Sequence, residues 1–134
     1  MPDNEKMSGS ILVLDDDEVI LKATKENLEN FGFDVTTVNN GQDAISIYKQ
    51  AVDNGKPFAA VIFDLTIKEG LGGKDALKNI KTFDPNVKAI LVSGYTKDQI
   101  VVTPEEKRQL RIFIKPYSFN DLKRTLRRML YPTK

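Results

Sequence analysis

The chain has 134 residues, 40% of them hydrophobic and 29% charged, which is the size and balance of one domain with a sizeable core. A net charge of +1, the lack of a bilayer-length apolar stretch and the lack of a signal-peptide pattern give no drive toward nucleic acid or membrane, so a soluble, cytoplasmic chain is expected. No cysteine and no histidine are present, which excludes disulfides, thiol nucleophiles, zinc–histidine sites and imidazole acid–base chemistry.

Residues 1–9 are polar and aperiodic and read as a flexible leader to a domain expected over 10–131, with 132–134 as a short tail. The run Ile11-Leu12-Val13-Leu14 has the length and uniform hydrophobicity of a buried parallel strand. Asp15, Asp16 and Asp17 follow at once. Then comes the helical spacing Ile20, Ala23, Thr24, Asn27, Leu28, Phe31, closed by Gly32, which predicts a helix over about 17–31. Three acids therefore stand at the carboxyl end of a strand, where open α/β sheets place their ligands. Strand-to-helix turns ordinarily attract anions. Three carboxylates invert that preference and call for a cation, which disfavours a flavin or nucleotide-phosphate loop. For Asp17 alone, capping the helix that follows is the simpler role.

A second strand over 33–38 leads through Asn39-Asn40-Gly41 into a helix carrying Ala44, Ile47, Tyr48 and Ala51. Asn54-Gly55-Lys56-Pro57 is a turn, and a third strand over 59–63 ends at Asp64. Gly70, Gly72 and Gly73 lack the spacing of a phosphate-binding loop and read as turn geometry before a helix with Ala76, Leu77 and Ile80. A fourth strand over 87–92 ends at Ser93, and a fifth over 112–114 ends at Lys115-Pro116. Between them, 94–102 has no helical stripe and reads as a loop. Thr103-Pro104-Glu105-Glu106 is a strong start for a short helix from 104 to about 109. The last helix has the apolar stripe Phe119, Leu122, Leu126, Met129. Its basic residues Lys123, Arg124, Arg127 and Arg128 therefore read as an exposed face rather than a nucleic-acid patch.

Strand and helix patterns that alternate in this way predict an α/β, flavodoxin-like doubly wound (βα)5 fold, with five parallel strands in the order 2-1-3-4-5. The topological switch then lies between strands one and three and gathers Asp15, Asp16 and Asp64. Ser93 and Lys115 arrive from neighbouring strand ends. Clustered carboxylates repel one another, and Mg²⁺, which takes one or two carboxylates, waters and a phosphate oxygen, relieves that repulsion. A carboxylate beside such a metal can act as a nucleophile toward phosphorus. A lysine can then stabilise the charge on the transferring group, and a serine hydroxyl can donate to it.

The segments Leu12-Val13-Leu14-Asp15-Asp16-Asp17, Phe63-Asp64-Leu65-Thr66, Val92-Ser93-Gly94-Tyr95 and Ile114-Lys115-Pro116-Tyr117 occur in that order. Over the stretch from Ser10 to Leu130 they resemble the receiver domain of two-component response regulators, and look most like receivers attached to hybrid sensor histidine kinases. The resemblance implies that Asp64 accepts a phosphoryl group from a histidine kinase or phosphotransfer domain. It implies that Asp15, Asp16, Asp64 and the backbone carbonyl of Thr66 hold Mg²⁺, that Ser93 is a switch hydroxyl, and that Lys115 pairs with Asp64 and later with the phosphate. The Lys115-Pro116 bond is expected to be cis. The domain would catalyse only its own phosphorylation and dephosphorylation. It would signal by altered binding to a downstream protein, with no direct nucleic-acid contact.

Two positions depart from the pattern. Lys68 stands where family members often have proline, and Ile112 stands where an aromatic is common. The adjacent Phe113 falls on the opposite face of an alternating strand and is not a simple substitute. Two other readings compete with a working receiver. One is a non-phosphorylated degenerate receiver acting as a protein-interaction scaffold. The other is a haloacid-dehalogenase-type phosphatase, which would need a second aspartate where Thr66 stands.

Overall fold

In the computed structural model, which describes residues 6–65, 67, 71–94 and 111–132, five short strands lie side by side in the order β2-β1-β3-β4-β5. They are β1 (Ser10–Leu14), β2 (Asp34–Val38), β3 (Ala60–Asp64), β4 (Ala89–Ser93) and β5 (Arg111–Ile114). Every pairing is parallel. The described helices are α1 (Glu18–Asn30), α2 (Gly41–Asp53), α3 (Gly73–Lys81) and α4 (Phe119–Leu130). This is the doubly wound arrangement expected from the alternating pattern. The loop expected over 94–102 falls outside the described residues beyond Gly94, as does the short helix expected from 104 to about 109. Among the described residues no helix is long and apolar enough to cross a membrane.

The three central strands β1, β3 and β4 are buried almost throughout because both faces of the sheet are covered. Ile11, Val13, Ile62, Ile90 and Val92 face one way and pack with Leu21 and Leu28 of α1 and Leu122 and Leu126 of α4. Leu12, Leu14, Val61, Phe63 and Leu91 face the other way, against Ala44 and Tyr48 of α2 and Ala76, Leu77 and Ile80 of α3. Phe113 packs with the first group and Ile112 with the second, so the two side chains do lie on opposite faces of β5. On the second face Tyr48 stacks on Phe58 at 5.9 Å, and its hydroxyl donates to Asp84 Oδ2 at 2.5 Å. Burial, followed by that carboxylate, pushes the phenol far above its ordinary value.

Helix starts follow local chemistry. Asp17 caps α1, accepting from the amides of Val19 at 2.9 Å and Ile20 at 3.3 Å. Ser118 caps α4 in the same way, accepting from Asn120 and Asp121. Of the four basic residues on α4, Arg124 and Arg128 are exposed as expected, whereas Arg127 is buried. Its position directly follows the stripe residue Leu126, and the buried band of this helix is wide enough to include it.

The described part of the polar segment 1–9 contains an apolar anchor. Met7 is 2% exposed and joins the α1–α4 side of the core beside Leu28 and Phe33. Its amide donates to Phe31 O at 2.8 Å, while Ser8 N–H donates to the Tyr131 hydroxyl at 2.9 Å. The turn beyond α1 makes room for this strap through Gly32, at φ +111, where a Cβ would lie 2.0 Å from Met7 O. A side chain there is strained in its backbone and meets a main-chain carbonyl. Gly32→Ala is therefore expected to lose more than about 1 kcal/mol of stability, read as a lower urea midpoint. An unchanged midpoint would show that the strap is dispensable.

Candidate functional site

Four of the five strand ends deliver the parts of the site. β1 runs out into Asp15 and Asp16, β3 ends on Asp64, β4 ends on Ser93, and β5 leads directly into Lys115. Backbone bonds fix these ends. Asp15 N–H donates to Val38 O, Leu65 N–H to Val92 O, and Lys115 N–H to Ser93 O. The register pairs Asp64 with Val92, which places Ser93 one residue beyond the acidic strand end on the adjacent strand. The Lys115-Pro116 peptide is cis.

The side chains converge. Asp15, Asp16 and Asp64 each present a carboxylate oxygen within 4.8 Å of the others. Asp15 is 3% exposed and Asp64 is 1% exposed, while Asp16 is open to solvent. Lys115 Nζ sits between the two buried acids, 2.9 Å from Asp15 Oδ2 and 2.8 Å from Asp64 Oδ2. The sequence resemblance pairs Lys115 with Asp64, and the structure adds Asp15 to that pair. Asp15 Oδ1 accepts from the amide of Asp17 at 2.9 Å. The cap residue of α1 thus also steadies the acid two positions before it.

Lys115 bridges two of the three carboxylates, and Asp16 adds a third acid beside them. Burial raises Asp15 above the usual carboxylate range, and Asp64 reinforces the shift. The Asp17 amide and Lys115 oppose it without cancelling it. Burial pushes the Lys115 ammonium down, but its hydrogen bonds to Asp64 and Asp15 outweigh that effect and hold it above its ordinary value. Tyr117, two residues on, is raised chiefly by burial. It packs edge-on between Phe113 at 5.5 Å and Phe119 at 5.8 Å.

The donor set consists of three hard carboxylate oxygens gathered in one place, two of them on buried residues. Those features fit Mg²⁺, with Asp15, Asp16 and Asp64 as the residues that would hold it. Thr66, expected to add a backbone carbonyl, lies outside the described residues, as does Lys68.

One residue of the site escapes sequence reading. Gly73, which looks like a turn glycine, opens α3 against the main chain of Asp64. A Cβ there would lie 2.3 Å from Asp64 O and 3.0 Å from Phe63 Cβ. The glycine lets the helix approach closely enough to fix the end of β3. A sequence signal exists only in hindsight, as a glycine at the first position of an amphipathic helix that follows an acidic strand end.

Comparison with known proteins decides the family, because the model of the response regulator receiver domain matches residues 11–127. This chain belongs to the response regulator receiver family. It is 31% identical over 131 residues to the transcriptional regulatory protein ZraR of Klebsiella oxytoca, an alignment covering 96% of this chain and 28% of ZraR. It is 23% identical over 120 residues to the response regulator receiver protein CpdR of Brucella abortus, covering 90% of this chain and 95% of CpdR. Among solved structures, the BeF3-activated DrrB receiver domain is similar with a TM-score of 0.73 and 27% identity, covering 92% of this chain and 98% of that one. The chain thus spans under a third of the ZraR regulators and nearly all of CpdR. As a receiver it is a module of two-component signalling.

Proposed function

We propose that this receiver takes a phosphoryl group onto Asp64 from a phosphohistidine on a histidine kinase or phosphotransfer domain, and that the modified domain changes its affinity for a downstream signalling protein. The observation that carries this reading is the Lys115 ammonium bridging two buried carboxylates at the topological switch of the sheet. An oxygen of Asp64 would attack phosphorus while the phosphorus–nitrogen bond of the donor breaks, and the imidazole would leave carrying a proton from solvent. Mg²⁺, when bound by Asp15, Asp16, Asp64 and the Thr66 carbonyl, would supply the positive charge that the carboxylates and the phosphoryl oxygens both need.

Lys115 would release its contact with Asp64 and hold an equatorial oxygen of the transferred group. Ser93 would donate its hydroxyl to another. Ser93 ends β4 and Lys115 directly follows β5, so these contacts would bias the position of that edge of the sheet. Receivers of this kind act on themselves rather than on a separate substrate, and a cytoplasmic setting belongs to the same proposal. The similarity to a BeF3-activated receiver supports it, since that protein was captured in an activated form.

The surface beside the site suits a docking donor. Val19, at 77% exposure, is the large hydrophobic side chain most open to solvent among the described residues. It borders an apolar recess of about 430 Å³ with Ile20, Ala23, Pro116, Tyr117 and Phe119, and Lys115 lies at its edge. Val19→Glu is expected to slow transfer from a phosphorylated phosphotransfer domain by about tenfold or more, while labelling by acetyl phosphate stays at the wild-type rate. Equal slowing with both donors would place Val19 in the chemistry rather than in docking.

The direct test of the function is intact-protein mass spectrometry after incubation with acetyl phosphate, with and without Mg²⁺. Gain of one phosphoryl group that depends on Mg²⁺ is expected. A folded chain that stays unlabelled with both acetyl phosphate and a phosphohistidine donor would turn the reading to a degenerate receiver serving as a scaffold.

A further inference from the structure

At the opposite end of the sheet, the amino ends of β4 and β5 border a recess of about 380 Å³ that phosphoryl chemistry does not use. Four cations line it: Lys81 at the end of α3, Lys88 just before β4, Arg111 at the start of β5 and Arg128 near the end of α4. Val87 and Met129 contribute apolar surface. No carboxylate among the described residues lines it, and none of the four cations is ion-paired with a described residue. Asp84, close by in sequence, turns its carboxylate to the Tyr48 hydroxyl instead.

Four positive groups border one recess, although over the whole chain 20 Lys and Arg are balanced by 19 Asp and Glu. Part of the gathering has a local cause, because cations favour the carboxyl ends of helices. Lys88 Nζ donates to Met129 O at 3.2 Å, within the last turn of α4. That accounts for one hydrogen bond of one ammonium. It does not account for Arg111, which begins a strand and reaches the same cavity, paired in register with Ile90. The four groups repel one another, and a multiply charged anion would relieve that repulsion.

We propose that this recess is a binding site for a small diphosphate-bearing molecule. Two guanidinium groups favour phosphate oxygens, which they can engage through paired N–H donors. The volume exceeds that of a lone phosphate and falls in the range of small-ligand pockets. Val87 and Met129 offer a wall for an uncharged body attached to the phosphates. The site is separate from the acidic cluster, since five-residue β4 carries Ala89 at one end and Ser93 at the other, about 13 Å apart at the rise of a parallel strand.

The test is isothermal titration calorimetry of the full chain with pyrophosphate and, separately, with ADP. Mg²⁺ is omitted and ionic strength held constant, so that the carboxylate cluster cannot recruit either probe through a metal. Saturable binding of both probes is expected. The Arg111→Gln, Arg128→Gln double variant should bind about tenfold more weakly or worse, on the scale of lost charge-assisted hydrogen bonds. Both arginines are exposed, so folding should survive, and circular dichroism checks it. Arg128→Gln alone serves if the double variant fails to fold. Arg124→Gln, whose guanidinium lies 3.2 Å from Asp121 elsewhere on α4, should bind like wild type.

ADP binding more tightly than pyrophosphate would show that the apolar wall is engaged, and equal binding would show recognition of the diphosphate alone. Failure of both probes to bind, or undiminished binding by the arginine variants, would overturn the proposal. So would probe-induced amide shifts confined to Asp15, Asp64 and Lys115 instead of Ala89 and Met129.

Discussion

Asp64→Asn is expected to abolish labelling by acetyl phosphate, cutting the rate by about 10³-fold or more, the scale on which losing a nucleophile reduces turnover. The amide keeps the shape of the side chain and one oxygen that can still accept from Lys115 Nζ, which in the wild type lies 2.8 Å from Asp64 Oδ2. It has no anionic oxygen with which to attack phosphorus. The fold should not suffer. Asp64 is one of the influences that raise Asp15, so neutralising it lets Asp15 ionise more readily. A group whose folded value falls toward the unfolded one costs less stability at neutral pH. The variant is therefore expected to match or exceed the wild type in urea unfolding at pH 7. Equal labelling of the two folded chains would remove Asp64 from the role of acceptor.

The parts of this protein that could be read from its sequence are those set by a repeating local rule. The apolar runs of β1, β3 and β4 are buried on both faces and flanked by turn residues, so length and hydrophobicity were enough to find them. Boundaries drifted where a core residue lies outside the ladder. Phe33 is buried but precedes β2, and Val87 precedes β4 because its amide closes a turn onto Asp84 O. Asp15, Asp16, Asp64, Ser93 and Lys115 were legible for a topological reason. In a doubly wound sheet, positions just past parallel strands converge whatever their distance in sequence.

What stayed hidden depends on contacts with no period. Met7 stands between the polar residues Lys6 and Ser8, and nothing local marks it as a core residue. Gly73 is needed because of where the backbone of Asp64 lies, a fact of packing rather than of spacing. The cationic recess draws Lys81, Lys88, Arg111 and Arg128 from four separate places in the chain. Read along α4 alone, Arg128 looks like one more solvated charge.

Removing Lys115 should have the largest effect on stability, and its size should depend on pH and on Mg²⁺. The lysine side chain is 21% exposed and the two carboxylates it bridges are 5% and 1% exposed, so Lys115→Ala leaves a pair of buried acids without their cation. Buried pairs add little relative to apolar replacements of the whole pair, but removing one partner is costly. Partial exposure of the lysine moderates that cost, and a loss of about 1–3 kcal/mol at pH 7 is expected. The sign with pH follows from Asp15. Its folded value already lies above 3.8, and loss of Lys115 removes two influences that lower it. The folded state then holds a proton that the unfolded state has released, and stability falls as pH rises through that window. The deficit of the variant should therefore be small near pH 4, grow above it, and level off once Asp15 is ionised in both states. Mg²⁺ binding to the folded state should raise stability in both chains. It should do so more in the variant, where no ammonium competes for Asp15 and Asp64. Urea midpoints at pH 4.5 and pH 7.5, with and without Mg²⁺, read all of these effects together. A variant as stable as wild type at both pH values, with no added gain from Mg²⁺, would mean that solvent already neutralises the acids and that the lysine bridge contributes nothing to the resting fold.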